Sequence, residues 1–324
     1  MSAKARPALQ HESVEADGSF AHDVQAGLTA KPKRLSPKYF YDEAGSRLFE
    51  QITALPEYYP TRSELAILRD NAAAIAQYIP AGAALIEFGS GSSRKARILL
   101  STAPTVLTYV PVDISSSMLA QETQSLRRDY PKLKVLPIEA DFTKPFRLPP
   151  VLAEVPHVGF FPGSTIGNFE PHEASSFLRQ ARQILGAGAT LIIGFDLVKD
   201  KAVLHAAYDD AAGITAKFNL NLLTRINREL GANFDLASFS HEAFYNSERH
   251  RIEMHLASKK RQKVRVLGRA IDFRAGETIH TENSYKYTLE SFSALARGAG
   301  WTPVAAWTDA NGYFSVQALT AQDR

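Results

Sequence analysis

Three short stretches place glycine, acidic and aromatic residues at the ends of predicted strands. The apolar run 83–88 is followed by Gly89-Ser90-Gly91 and a predicted helix, a second run ends at Asp113, and a third leads into Asp141-Phe142. Because glycine has no Cβ, such a turn lets the backbone approach a nucleotide-like ligand closely. The first acid is suited to a ribose diol, and the second, beside an aromatic ring, to adenine.

The glycine turn lacks the patterns that bind a diphosphate. No Gly-Lys-Ser/Thr sequence closes it, so it is not a P-loop, and Arg94 stands where a third glycine would complete G-x-G-x-x-G. A glycine turn with a ribose acid and an adenine acid, but no diphosphate helix, favours S-adenosylmethionine over NAD. The sequence therefore predicts a methyltransferase. A dinucleotide-dependent enzyme is the alternative, and each acid taken alone is also explained as an ordinary loop residue.

The elements around these stretches alternate between strand and helix. Strands are predicted near 84–88, 108–113, 134–138, 157–161 and 189–195, and helices near 92–101, 115–128 and 171–185, the last closed by Gly186. This alternation predicts a doubly wound parallel sheet. A late helix at 290–299 and a hairpin around 309–312 complete it, so the predicted fold is a seven-stranded Rossmann-like class I methyltransferase sheet.

The remaining segments predict an inserted α+β substrate-binding domain. Its helices are expected at 199–212 and 218–230, and its β-like runs at 241–246, 251–257, 264–273 and 279–287. Ahead of the sheet, helices are expected at 21–28, 44–55 and 62–78. Thr61 is the expected N-cap of the third helix, with Glu64 in its capping box. The predicted organisation is a flexible arm (1–20), an N-terminal part of the substrate domain (21–60), the methyltransferase core (61–198), the substrate-binding domain (199–287) and the C-terminal completion of the core (288–324).

Composition narrows the class of protein. The 324 residues are 45% hydrophobic and 22% charged, as in an ordinary globular protein, and contain no cysteine for disulfides, thiolate metal sites or nucleophilic catalysis. A net charge of +3 does not favour nucleic acid, and no run predicts a membrane span or signal peptide. None of the nine histidines has a metal-binding spacing. We therefore expect a cytoplasmic protein without a metal.

Substrate-binding candidates follow the fourth predicted strand and lie in the later segments. Methyl transfer needs a positioned nucleophile more than a strong base, and in an open α/β sheet the substrate lies beyond the carboxyl ends of the strands. Gly163 and Asn168 follow such an end, although Asn168 could equally cap the helix starting near 171. Tyr208 could be ordinary helix packing. Glu282 and Ser284 share one strand face and could bind a nitrogen heterocycle or face solvent.

From about residue 21 to 319 the chain resembles the S-adenosylmethionine-dependent L-histidine Nα-methyltransferases of ergothioneine biosynthesis. The most specific matching stretches are 36–42, 55–62, 87–92, 163–168, 196–200, 206–213 and 251–254.

The resemblance assigns a role to individual residues. It implies that the cofactor is held by Gly89, Lys95, Asp113, Asp141 and Phe142. It implies that the amino-acid substrate is bound by Tyr58, Asn168 and Tyr208 with Gly163 lining the site, that Glu282 and Ser284 read the imidazole, that Met254 forms a wall of the side-chain pocket, and that Tyr41 is the catalytic aromatic residue beside the amine.

The implied reaction is trimethylation of the histidine α-amine, giving hercynine and three S-adenosylhomocysteine. Aromatic faces such as those of Tyr41 and Tyr58 tolerate the quaternary cation of the product. The alternatives are an N-methyltransferase of another amino acid or aromatic amine such as tryptophan, a non-catalytic S-adenosylmethionine-binding scaffold, and an RNA methyltransferase. The expected partner is a small-molecule amino acid, without nucleic acid or membrane, and the expected oligomeric state is a monomer.

Overall fold

The computed structural model describes residues 15–322, which form two compact units. The small unit contains the chain up to Phe49, Gly213–Glu242 and Met254–Glu282. The core unit contains Glu50–Ala212, Ala243–Glu253 and the chain from Asn283 onward. The predicted N-terminal arm lies outside the described residues as far as residue 14, and residues 15–20 begin the first helix. The predicted division of the chain into an arm, two parts of a substrate domain and two parts of a methyltransferase core stays a prediction.

The helices and strands alternate along most of the chain. The α-helices are α1 (Glu15–Thr29), α2 (Glu43–Ala54), α3 (Tyr59–Asp70), α4 (Ala72–Ala76), α5 (Arg94–Thr102), α6 (Ser116–Asp129), α7 (Pro171–Leu185), α8 (Lys201–Tyr208), α9 (Ile214–Leu230) and α10 (Leu289–Gly298). The strands are β1 (Lys33–Arg34), β2 (Ala84–Phe88), β3 (Thr108–Asp113), β4 (Lys134–Val135), β5 (Ile138–Glu139), β6 (His157–Phe161), β7 (Thr190–Asp196), β8 (Phe239–Asn246), β9 (Arg251–Ser258), β10 (Gln262–Val266), β11 (Arg269–Phe273), β12 (Thr278–Tyr285), β13 (Trp301–Thr308) and β14 (Phe314–Ala321). Short 3₁₀ helices span Pro37–Phe40, Pro150–Leu152, Thr165–Asn168 and Leu236–Ser238.

The core unit is built on one mixed sheet of order β13-β14-β7-β6-β2-β3-β4, with β5 also paired to β3. Strands β2 to β7 pair in parallel, and β14 runs antiparallel to β7. Pro137 separates β4 from β5, and since proline has no N–H the edge strand is interrupted there. The strand predicted at 134–138 is thus two short pieces. The Rossmann-like sheet is confirmed.

Apolar side chains cover both faces of this sheet. In β2, Ile86 and Phe88 belong to one buried cluster and Leu85 to another, as expected for side chains that alternate between the two faces. Each such side chain contributes roughly 1.5–3 kcal/mol when fully buried. The strands are therefore held rigidly, and the loops at their carboxyl ends are presented from a fixed framework.

The helix predicted at 62–78 differs from the structure in its start and its continuity. Helix α3 begins at Tyr59, with Pro60 in its first turn, so the N-cap predicted at Thr61 is wrong. Asn71 has φ −113°, outside the helical range, and its side-chain amide donates to the carbonyl of Ile67 at 3.0 Å. The chain therefore breaks between α3 and α4.

The small unit contains α1, the part of α2 up to Phe49, α9 and a separate hairpin of β10 and β11. The β-like run predicted at 264–273 is this hairpin, whose turn residues Leu267 and Gly268 have φ of 50° and 76°. Two positive φ values are typical of the tight turn that matches the twist of the strands. A leucine at the first turn position concealed the turn in the sequence.

A second sheet has the order β1-β12-β9-β8, and the division into units falls within β8, β9 and β12. Among the helices of residues 15–322, none combines the length and apolar composition that crossing a bilayer requires.

Candidate active site

The glycine turn after β2 lies against the two features predicted to bind a nucleoside. Gly89 has φ +73°, and a Cβ built there would lie 3.1 Å from the Phe142 ring. The N–H of Gly91 donates to Asp113 Oδ2 at 3.3 Å. A side chain at 89 would be strained in its backbone and crowded by Phe142, so glycine is required at this position. The glycine turn therefore contacts both Asp113 and Phe142.

Local hydrogen bonds hold the two predicted nucleoside acids. Asp113 accepts the N–H of Ser115 at 3.0 Å in addition to that of Gly91. Asp141 accepts the N–H and the hydroxyl of Thr143, at 3.0 and 2.5 Å. These donors leave lone pairs on each carboxylate that can accept a further donor. This donor and acceptor set fits the diol and amine of an adenosine.

Glu64 of α3 joins the predicted cofactor residue Lys95 to the predicted substrate residue Gly163. Its carboxylate lies 2.5 Å from Lys95 Nζ and accepts the Gly163 N–H with both oxygens at 2.9 Å. On β7, a Cβ at Gly194 would lie 2.0 Å from Glu64 Oε1, so glycine there makes room for the carboxylate. The predicted capping-box role of Glu64 is wrong. The signal for its burial was present, because Glu64 shares a helix face with Ile67 and Leu68.

The loop after β6 runs from Gly163 to the 3₁₀ turn that ends at Asn168. A Cβ at Gly167 would lie 2.8 Å from the Tyr285 carbonyl oxygen, so this turn packs directly on the end of β12. The alternative role of Asn168 as a helix cap is wrong, because Glu170 caps α7 in a reciprocal box with Glu173. The half-buried Asn168 amide is therefore not used to cap α7.

Tyr208 and Ser284, which we call the hydroxyl pair, contact each other in the core unit. Tyr208 is the last residue of α8, and its Oη lies 2.7 Å from Ser284 Oγ. The ring of Tyr58 meets that of Tyr208 edge-on, with centroids 6.2 Å apart. Both members of the hydroxyl pair are buried, so the alternative of a solvent-exposed Ser284 is wrong.

Sequence reasoning missed a group of three charged side chains and one tyrosine, which we call the charged cluster: Tyr59, Asp196, Lys199 and Lys286. Asp196 at the end of β7 lies 2.5 Å from Lys199 Nζ and 2.7 Å from Lys286 Nζ. It also accepts the hydroxyl of Tyr59 at 2.7 Å, and Lys199 donates to the same hydroxyl oxygen at 2.7 Å. The cluster is thus assembled from three distant segments of the chain.

Burial and charge act in opposite directions on the acid of this cluster. Burial alone would raise the pKa of Asp196, but the ammonium groups of Lys286 and Lys199 outweigh it and hold that pKa below its ordinary value. Burial lowers the pKa of Lys199 to about 8, with the repulsion of Lys286 adding to the effect and the attraction of Asp196 opposing it. Asp196 is therefore an anion at neutral pH, held between the side chains of Lys199 and Lys286.

Three predicted site residues belong to the small unit. The Tyr41 ring packs edge-on against Phe49 and Phe218, with centroids 5.5 and 5.8 Å away. Met254 is buried. The carbonyl of Glu282, half-buried on β12, lies 3.0 Å from His280 Nε2.

At the carboxyl ends of its parallel strands, the core unit combines the glycine turn, with Asp113 and Phe142 beside it, and a group of buried polar side chains. The loop 163–168 connects the two, through Glu64 at one end and Tyr285 at the other. Such an arrangement can hold a nucleoside-bearing donor beside a small polar acceptor, which suits group transfer.

Comparison with known proteins identifies similar chains. The family model of histidine-specific, S-adenosylmethionine-dependent methyltransferases matches residues 20–321. The chain is 45% identical to a histidine N-alpha-methyltransferase of Mycolicibacterium smegmatis, over 91% of this chain and 92% of that protein. A protein of the same name from Mycobacterium tuberculosis is 43% identical, over 91% and 92%. Ergothioneine biosynthesis protein 1 of Neurospora crassa is 32% identical, over 87% of this chain and 32% of that longer protein.

Proposed function

The chain belongs to the family of histidine-specific, S-adenosylmethionine-dependent methyltransferases, and from this membership we propose that it methylates the α-amine of L-histidine. The proposed product, after three transfers, is hercynine, and the proposed pathway is ergothioneine biosynthesis. The observation that carries the proposal is the 43–45% identity over nine-tenths of the chain to two histidine N-alpha-methyltransferases. We further expect a cytoplasmic monomer.

S-adenosylmethionine, when bound, supplies the electrophilic methyl group. Asp113 would accept hydrogen bonds from the ribose hydroxyls, and Asp141 and Phe142 would contact the adenine edge and face. Gly89 would let the backbone come close, as its missing Cβ already does for Phe142. Lys95 would offer ammonium N–H groups in a direction fixed by its ion pair with Glu64.

In the proposed amino-acid site, different residues bind the backbone end and the side-chain end of histidine. Asn168, Tyr208 and Tyr58 would bind the backbone end, with Gly163 lining the site. A buried α-ammonium loses its proton more readily than one in water, which prepares the amine for each transfer. Tyr41 would lie beside the amine, where an aromatic face also stabilises the methylated cation.

The side-chain end is proposed to be read by polar groups. Glu282 would accept the imidazole N–H, Ser284 would bind the other ring nitrogen, and Met254 would form an apolar wall. A site built for a polar ring discriminates strongly against analogues that lack its hydrogen bonds.

Mass spectrometry of a reaction with S-adenosylmethionine and the twenty amino acids pooled tests the proposal. We expect histidine alone to acquire one, two and then three methyl groups, and an Asp113→Ala variant to give little product. Methylation of tryptophan in place of histidine would favour the alternative enzyme. No methylated amino acid, together with no histidine binding by calorimetry in the presence of S-adenosylhomocysteine, would overturn the proposal.

A further inference from the structure

The charged cluster contains more positive charge than its own carboxylate requires. Asp196 faces two ammonium groups, and the side chains of Asp196 and Lys286 are 0% exposed and that of Lys199 is 4% exposed. Asp309 attracts Lys199 from farther away. Burying a charge is costly unless it is compensated. One lysine suffices to neutralise Asp196, so the presence of the second calls for an explanation other than stability.

Lys286 has a partner for each of its three N–H groups. Its ammonium lies 2.7 Å from Asp196 Oδ2, and it donates to Tyr208 Oη at 3.0 Å and to Ser284 Oγ at 2.6 Å. With its side chain fully buried and its donors engaged, Lys286 is in no position to contact a substrate. Any hydrogen bond to a ligand must therefore be made by the hydroxyl pair, and Lys286 itself can act on the ligand only through its charge.

The bonds from Lys286 determine how the two hydroxyls can act. Each oxygen accepts from the ammonium, so its own hydrogen must point away from Lys286. Hydrogen bonds to a charged group are stronger than neutral ones, and they polarise the hydroxyls further as donors. Tyr208 and Ser284 are thus prepared to donate, either to each other or to an acceptor on a ligand.

We propose that Lys286 is a positioning residue. By donating to both oxygens of the hydroxyl pair, it fixes the pair so that one hydroxyl donates to the other and the remaining hydrogen is presented to the amino acid. Its charge complements the substrate carboxylate. This inference depends on the proposed function, because it takes an amino acid as the ligand. An α-carboxylate offers the negative charge that the cluster lacks, and an imidazole nitrogen with a free lone pair offers an acceptor of the kind that a fixed serine hydroxyl selects.

Lys199 provides a matched control. It pairs with the same Asp196, but its other two N–H groups go to the Tyr59 hydroxyl and the Leu197 carbonyl, at 2.7 and 2.5 Å. Lys199→Met and Lys286→Met each remove one ammonium from Asp196. Only the second also removes the donor to the hydroxyl pair, so the two variants separate a structural role from a positioning role.

The experiment measures steady-state kinetics with histidine in the full-length chain, with S-adenosylhomocysteine binding as a check of folding. We expect Lys286→Met to raise KM for histidine about tenfold or more, the effect of losing a hydrogen bond with a charged partner. S-adenosylhomocysteine affinity should stay within about twofold of wild type in both variants, and the rise in KM for histidine should be clearly smaller in Lys199→Met than in Lys286→Met. Equal changes of KM in the two variants, or an unchanged KM in Lys286→Met, would overturn the inference.

A second measurement needs no variant. Histidinamide has the ring and amine of histidine but no carboxylate, so wild type should use it at least about tenfold less efficiently in kcat/KM. Where Lys286→Met folds, this discrimination should shrink. If wild type accepts histidinamide as well as histidine, the inference is wrong even though histidine methylation stands. If wild type does not methylate histidine at all, the proposed function fails first.

Discussion

The glycine turn and the charged cluster lie in the same unit but are specified by the sequence in different ways. The turn is made by neighbours in the sequence and by backbone geometry: Gly89 has φ +73° and Gly91 has φ +47°. The cluster joins Tyr59, Asp196 and Lys286, whose contacts arise only once the sheet has formed. Residue type and spacing reveal the first kind of site, whereas the second requires the fold.

The same comparison extends to two buried acids of the sheet. Asp196 has two lysines beside it, and their charges hold its pKa below the ordinary value although burial opposes them. Glu87 on β2 has a tyrosine hydroxyl as its direct partner, and burial raises its pKa to about 8. A buried carboxyl group is therefore ionised or neutral at pH 7 according to whether cations were brought to it.

The largest expected effect comes from removing Asp196. Asp196→Ala leaves two buried ammonium groups without their carboxylate, which should lower the free energy of unfolding by about 3–5 kcal/mol. Asp113→Ala, at the glycine turn, should cost about 1 kcal/mol but weaken S-adenosylhomocysteine binding. Denaturant unfolding followed by circular dichroism, with calorimetry, measures both. Equal losses of stability in the two variants would remove the distinction between the regions.

The next effect is a pH dependence that originates at Glu87. Its pKa in the folded protein is about 8 and its ordinary value is 4.5, so between these values the folded state keeps a proton that the unfolded state releases. The free energy of unfolding should therefore decrease as pH rises through this window, by at most about 1.4 kcal/mol per pH unit. Glu87→Gln removes this group and should flatten the profile between pH values of about 6 and 7.5. An unchanged slope would show that Glu87 is ionised in the fold.

Glu64→Gln probes the link between the two regions. The amide can still accept the Gly163 N–H but loses the ion pair with Lys95, so S-adenosylhomocysteine affinity should fall about tenfold. Asp70→Asn, an exposed acid on the same helix, is the matched control and should leave binding unchanged. Calorimetric titration of both variants gives the comparison, and similar affinities would mean that Lys95 needs no fixed partner.

The smallest effect is expected from a pair of glycine substitutions. Gly89 and Gly82 have φ of +73° and +76°, and within the described chain a Cβ at 82 meets open space whereas one at 89 meets Phe142 at 3.1 Å. Both alanine variants should lose about 1 kcal/mol of stability from backbone strain. Gly89→Ala should in addition weaken S-adenosylhomocysteine binding about threefold by displacing the Phe142 ring. Equal binding by the two variants would show that the ring position does not matter.

Much of the framework was predictable because it depends on local patterns. The strands at 108–113 and 157–161 and the helix at 171–185 have the predicted bounds. A continuous apolar run indicates a strand buried on both faces, and helical periodicity indicates a helix buried on one face. Errors occurred where a residue takes a position that its type does not usually occupy. Leu267 occupies a turn position with φ 50°, and Thr61 looks like a cap but lies inside α3.

The polar interior was not predictable in the same way. Lys286 stands between two tyrosines in a β-like run, a context in which lysine ordinarily faces water. Its burial follows from the position of Asp196 and α8, information that the spacing of residues around 286 does not contain. The Asp196–Lys199 spacing did mark a specific stretch, but its chemistry became interpretable only with Lys286 beside it.

The end of β7 ties several segments together through the main chain as well as through side chains. The N–H of Asp196 donates to Ser164 Oγ at 2.9 Å, and the carbonyl of Asp196 accepts from Tyr287 at 3.0 Å. The N–H of Leu197 donates to Tyr313 at 3.0 Å and that of Val198 to Tyr287 at 2.9 Å. Amide hydrogens held in this way exchange with deuterium mainly through global unfolding. The amides of residues 196–198 and 287 should consequently be among the slowest to exchange in the chain, and this part of the structure should stay folded during catalysis.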